Sequence, residues 1–237
     1  MTPPADRSIH DRTPAVVERH RAIDAAVEAF AAETEIRCPP GCGACCWNPD
    51  VETTVTDALP MAEAVVARGE AASVLERLAD RPRESVCVFY EPVPDQPMKG
   101  RCSMYAARPS ICRLFGFSGR RRRDGEVELI TCRIHKQVDR GRVEEAERRV
   151  AAKTVSLPLL AEQAGAVAAL SSGPDAVPRP INEAFRMAIE QVALRSRLRG
   201  MASALRVEGV EVDPESDPES PSPRPGDSTP RRPRRAA

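Results

Sequence analysis

The chain has 237 residues, 41% of them apolar, with 35 basic and 35 acidic side chains and no formal net charge. That length suits one domain with appended arms, and the neutral balance excludes a general electrostatic pull toward nucleic acid or a membrane surface. Aromatic residues make up only 3%, so Ala, Val and Leu must fill the core, which favours helices over sheets.

Arginine supplies nearly all the positive charge, a usage expected of a GC-rich bacterial genome. The polar start, Met1 to Asp11, lacks the basic and then apolar pattern of an export signal. No run approaches the roughly 18 apolar residues of a membrane span. The expected location is the cytoplasm, where thiols stay reduced. Eight cysteines there point to metal or redox chemistry more than to disulfides.

Thr13-Pro14 reads as a helix start, and Val16, His20, Ile23, Val27 and Phe30 recur at helical steps to about Glu35. Thr56-Asp57 reads as the cap of a helix over about Ala58 to Arg68, stopped by Gly69, with another over about Ala71 to Ala79. Pro92 to Gly100 reads as loop. Leu114 to Phe117 and Val127 to Thr131, with Asp124-Gly125 between them, predict a short hairpin. Further helices are expected over about Val143 to Val155, from Pro158 to Leu170, and over about Ile181 to Leu205. The Pro-, Ser- and charge-rich end, from residue 209, is expected to be disordered.

All eight cysteines fall between residues 38 and 132. The first group is Cys38, Cys42, Cys45 and Cys46; the second is Cys87, Cys102, Cys112 and Cys132. A four-coordinate metal needs several thiolates within about 2.3 Å of one point, and a C-x-x-C turn brings two of them together. Gly43 in that turn leaves backbone N–H groups free to face sulfur. The vicinal Cys45-Cys46 pair serves one site only if the loop bends sharply, or if there are two metals. Eight thiols suffice for two four-coordinate sites or one polynuclear one. Cys87, in Ser-Val-Cys87-Val-Phe, also reads well as a small buried hydrophobe.

These two regions together resemble the YkgJ-like CxxCxxCC cysteine-cluster family of zinc- or iron-chelating proteins. The first region is similar to its C-x-x-C-x-x-C-C block. The second, Cys102-Ser-Met-Tyr105-Ala-Ala-Arg108-Pro109-Ser-Ile-Cys112-Arg113-Leu-Phe115, is similar to its C-x-I-Y-x-x-R-P-x-x-C-R-x-F segment. Cys38 and Cys42 are separated by three residues where the family has two, and Val88 stands where it has proline. The resemblance implies a zinc or iron site, with an iron–sulfur cluster as one form of it. A similar cysteine pattern in flagellin lysine-N-methylase makes methyl transfer conceivable.

Beside the ligands, Tyr105, Arg108 and Arg113 are candidates for donors that support sulfur, or for structural ion pairs. Arg108-Pro109 predicts an extended residue feeding a helix, with Cys112 on its first turn, where the helix terminus and Arg113 lower a thiol's pKa. His135, three residues after Cys132, either completes a Cys/His site or is a core or surface histidine. Arg120 to Arg123 read as a solvated hairpin tip more than as a grip on phosphate.

The expected fold is mostly α: a compact helical domain with a small β-hairpin, built around a cysteine-rich metal site. Residues 1–37 form an N-terminal helix, 38–135 the cysteine domain, 136–208 helices packed on it, and 209–237 a tail. The expected function is metal binding, with a metal ion as partner, no membrane and no strong nucleic-acid signal. The alternative is an iron- or iron–sulfur-dependent enzyme. Cys38-x-x-x-Cys42-x-x-Cys45 has the radical S-adenosylmethionine spacing, but no βαβ series accompanies it. A thiol redox pair at Cys42/Cys45 lacks a thioredoxin-like strand pattern.

Overall fold

Where apolar residues recur at three- and four-residue steps, the computed structural model is helical. It describes residues 9–82 and 85–207. In chain order come α1 (Ile9–Thr34), the cysteine loop, β1 (Glu52–Thr53), α2 (Val55–Ala67) and α3 (Ala71–Ala79). Next are β2 (Tyr90–Val93), β3 (Gln96–Cys102), α4 (Ser110–Leu114), β4 (Ser118–Arg121) and β5 (Val127–Ile130). Then follow α5 (Arg133–Val138), α6 (Arg140–Ala151), α7 (Leu160–Ala168), β6 (Arg179–Pro180) and α8 (Ile181–Val207). The strands form three antiparallel pairs, β1 with β6, β2 with β3 and β4 with β5.

The protein is thus mostly helical with small strand pairs. By internal contacts it divides into two units, Met1–Arg197 and Leu198–Ala237. Only the final turns of α8 are described in the second, so the tail from residue 209 lies outside the described residues. No helix among them is long and apolar enough to cross a membrane.

The first core joins Val55, Leu59, Met61 and Val65 of α2 to Val74 and Leu78 of α3 and to Ile181, Phe185 and Ile189 of α8. Phe89 packs edge-on against Phe185, with ring centroids 5.2 Å apart. Cys46, Cys102 and Cys112 lie against this core. A second core joins Phe30 of α1 and Ile36 to Val143, Ala146 and Val150 of α6.

Several boundaries differ from the sequence reading, each for a local reason. α1 starts at Ile9, with Pro14 inside it, because the Thr13 hydroxyl donates to Glu63 of α2 (2.7 Å) instead of capping. α2 starts earlier because Thr54 is its cap, accepting from the Asp57 N–H (3.0 Å). Pro92 to Gly100 is not loop: it is most of the β2–β3 ribbon, where an isolated pair leaves outward positions that tolerate proline. The second hairpin begins at Ser118, since Leu114 closes α4. α6 begins at Arg140, because the Asp139 carboxylate accepts from the Arg142 N–H (3.0 Å).

Candidate metal centre

The first cysteine group rides on a loop that β3 holds in place. The Gly43 N–H donates to the Met98 carbonyl (2.8 Å) and the Gly100 N–H to the Gly41 carbonyl (2.9 Å). Cys42 faces Lys99 in an antiparallel bridge between them. The Gly43 N–H is therefore engaged by β3 and not turned toward sulfur, contrary to the expectation from the turn alone. Tyr90 of β2 packs on both glycines. A Cβ at Gly43 would stand 2.0 Å from its hydroxyl oxygen, and one at Gly100 would meet the Glu91 carbonyl oxygen at 2.3 Å. Because that oxygen is backbone and cannot swing aside, Gly100→Ala is expected to destabilise the fold by about 1–3 kcal/mol. Thermal denaturation checks this; an unchanged midpoint would contradict the tight approach.

After Gly43 the loop turns back, with the Trp47 N–H donating to the Gly43 carbonyl (3.0 Å). This sharp bend sets the Cys45 and Cys46 sulfurs 3.9 Å apart, on the same cavity. Three other elements deliver the remaining thiols of that cavity. Cys102 ends β3 and pairs with Tyr90. Cys87 lies in a turn clamped by Asn182 of α8, which accepts from the Val88 N–H (2.9 Å) and donates to the Val86 carbonyl (3.1 Å). Cys112 is carried by α4, whose start is capped by buried Asp57: both carboxylate oxygens accept from the Ser110 N–H (3.1 and 3.0 Å). Asp57 also accepts from Thr53 (3.0 Å) and pairs with His20 (2.7 Å), joining α1, α2 and α4 at one point.

Cys45, Cys46, Cys87, Cys102 and Cys112 thus line one cavity of about 50 Å³. Pockets for organic ligands run to about 300–1,000 Å³, so this one suits an ion. Its other walls include Met61, Phe185, Tyr105 and Arg108, and no carboxylate. The Arg108 guanidinium lies 3.8 Å over the Tyr105 ring, and its buried Nε has no hydrogen-bond partner. A charged N–H donor beside clustered thiols offsets the negative charge that thiolates bring. Arg113 is buried and directed elsewhere: it donates to the carbonyls of Arg108 (2.8 Å) and Ala106 (2.7 Å) and pairs with Asp24. It therefore fixes the Tyr105–Arg108 turn against α1.

Burial pushes the Cys112 thiol well above its ordinary range, so the expected lowering by the helix start and Arg113 does not prevail. Burial likewise raises Cys102, and lifts Cys87 to about 12. Cys46 is raised because its thiol hydrogen-bonds Cys45 and is buried. That hydrogen bond holds Cys45 down at about 7, against burial and with help from nearby backbone N–H groups and Arg108.

The other donors lie outside the cavity. Cys38 is exposed, 3.4 Å from Nε2 of His135, and burial of its sulfur with the charges of Cys42, Cys45 and Cys132 lifts it to about 11. Cys132 caps α5, accepting from the Ile134 N–H (3.4 Å), and lines an open cleft of about 570 Å³ with Trp47 and Phe115. Burial lowers the pKa of His135, whose Nδ1 lies 3.3 Å from the Thr131 hydroxyl. Among the described residues, no three His, Cys, Asp or Glu side chains stand as a ready-made metal cage. The five thiols on the cavity suit a thiophilic ion by their chemistry. Within the Arg120–Arg123 run, Arg120 and Arg122 are ion-paired with Glu128 and Arg121 with Glu162.

No local pattern marks Tyr90 or Asn182 as supports of the site, and Asp57, which reads as a cap of α2, caps α4 instead. Only the glycines at positions 43 and 100 hinted at a bulky neighbour.

No curated protein and no solved structure gives a significant match to the chain. Residues 37–147 do match a family, CxxCxxCC, whose description is "putative zinc- or iron-chelating domain". The match spans the cysteine loop, both hairpins, α4, α5 and most of α6. The chain therefore carries, over residues 37–147, a domain of the CxxCxxCC family.

Proposed function

We propose that the protein is a metal chelator that holds zinc or iron through its cysteine thiolates. Cys45, Cys46, Cys102 and Cys112, with Cys87 beside them, are its inner donors; Cys38, Cys42 and Cys132 are its outer ones. The observation that carries this reading is the small cavity lined by five thiols, no carboxylate and an arginine with an unpartnered buried N–H. Soft thiolates select zinc and iron–sulfur centres over magnesium or calcium. A bound metal would supply the positive charge that draws these buried thiols into the thiolate form, their protons leaving to solvent. Arg108 acts as the positioning donor beside them, and Arg113 with Asp24 holds its turn. The expected compartment is the cytoplasm, where the thiols remain free.

A second reading is an iron- or iron–sulfur-dependent enzyme, by redox chemistry or methyl transfer. It needs a substrate next to the metal, and the open cleft, which shares Asn48 with the cysteine cavity, is where one would sit. No catalytic residue is assigned there.

The test is Cys112→Ser in protein purified without oxygen. Metal analysis is expected to show at least one equivalent lost per chain relative to wild type. Undiminished metal content would remove Cys112, and the cavity with it, from the ligand set.

A further inference from the structure

The open cleft of about 570 Å³ has the size of a site for an organic molecule, not for an ion. Its walls come from the cysteine loop, β3, α4 and the residue after it, the end of β5 and the start of α5. Trp47, Met98, Phe115, Ile130 and Ile134 make them apolar. Two of these large side chains stand in water, Trp47 at 41% exposure and Met98 at 44%. Leaving such apolar surface wet is unfavourable, and a ligand's apolar body would cover it.

The polar groups on the cleft are few, and they donate. Ser118 is 2% exposed and lines the cleft, and its hydroxyl has no hydrogen-bond partner among the described residues. The Asn48 side-chain oxygen accepts from the Asp50 N–H (3.1 Å), which leaves its NH2 group to donate. Arg133, at the start of α5, is the one charged residue on the wall, which carries no Asp or Glu. It is exposed and makes no ion pair among the described residues. The arginines of the neighbouring hairpin differ: Arg120, Arg121 and Arg122 are each matched by a glutamate.

A wall with donors, one unmatched guanidinium and no carboxylate complements a ligand that brings acceptors and one negative charge. A carboxylate meets both conditions, since its two oxygens fit the planar guanidinium fork and its single charge balances it. A second hollow, of about 370 Å³, shares Asn48, Ile111, Phe115 and Leu160 with the cleft. Its own wall carries Asp50, Glu52 and Asp57. These acids repel a carboxylate, so the charged end belongs at Arg133 and not on that side.

We infer that the cleft binds a small organic monocarboxylate non-covalently, with its carboxylate on Arg133 and its aromatic or aliphatic body against Trp47 and Phe115. This inference does not rest on the reading of the chain as a chelator: of the eight cysteines, only Cys132 lines the cleft.

The chain has a single tryptophan, and it lies in the cleft, so the protein carries its own reporter. Full-length protein isolated without oxygen is titrated with 4-phenylbutanoate and with octanoate, and binding is read by Trp47 fluorescence and by calorimetry. Saturable binding with a Kd of about 1 mM or tighter is expected. The amide and the amine of the same body should bind at least about tenfold more weakly. Arg133→Gln should abolish that preference and leave amide binding unchanged. Trp47→Ala, followed by calorimetry, should weaken acid and amide alike. Both side chains are exposed, so the variants should melt with the wild type. Absence of binding by both acids, a preference for the amine, or acid binding that Arg133→Gln leaves intact, as when the acid sits on a metal instead, would overturn the inference. Metal content measured on the same samples tests the chelator reading separately.

Discussion

Stripping the metal with a chelator is expected to lower the melting temperature by roughly 10 °C. Cys46, Cys102 and Cys112 pack against the main core, and Cys87 belongs to it. Metal bound there would tie together the cysteine loop, the turn before β2, the end of β3 and α4, four segments that no disulfide cross-links. Anything that binds only the folded state stabilises it, by about 4 kcal/mol when free metal exceeds the dissociation constant a thousandfold. For a chain of this size about 1 kcal/mol moves the midpoint by about 2–4 °C. The α2, α3 and α8 core contains aliphatic and aromatic contacts that need no metal, so the apo protein is expected to remain folded when cold. Calorimetry of untreated and chelator-treated protein checks this. Identical midpoints would mean that no metal holds these segments.

Asp57→Ala is expected to be the most damaging substitution that touches no cysteine. The carboxylate is 6% exposed and receives hydrogen bonds from Ser110 through both N–H and hydroxyl, and from Thr53, besides pairing with His20. His20 and Ser110 are themselves buried, so removing the acceptor orphans several donors at once. Breaking one partner out of a buried charged network costs about 3–5 kcal/mol, a large share of the 5–15 kcal/mol typical of a folded domain. Asp57→Asn keeps the shape and part of the acceptor capacity, so it should fall between Asp57→Ala and wild type. Because Asp57 caps the short helix bearing Cys112, Asp57→Ala should also lose metal more readily. Thermal denaturation with metal analysis reads both effects; a midpoint within two degrees of wild type, on the order of 0.5–1 kcal/mol, would contradict the role given to Asp57.

The parts of this protein legible in its sequence are those governed by local chemistry. The spacing of Val16, Ile23 and Phe30 gives α1, the stretch from Ala71 to Ala79 gives α3, and Asp124-Gly125 marks a real hairpin tip. The motif around Cys102 and Cys112 is dense enough that the family follows from it. What the sequence hides is set by partners distant along the chain. Cys87 reads as an ordinary buried residue, yet Asn182 of α8 fixes its turn on the cavity wall. Arg113 sits next to Cys112 in sequence, but Asp24 of α1 draws it away. Thr56-Asp57 has the look of a helix cap; the carboxylate is spent instead on α4 and His20, which no local pattern announces. The Pro-rich stretch 92–100 reads as loop because its pairing, and its support of Gly41 and Gly43, exist only in three dimensions.

The most direct test of the central claim is the metal and thiol content of wild-type protein isolated without oxygen. At least one equivalent of zinc or iron per chain is expected, with few of the eight cysteines reactive toward a thiol reagent until a chelator or denaturant is added. Metal-free, folded protein whose cysteines react freely from the outset would contradict it.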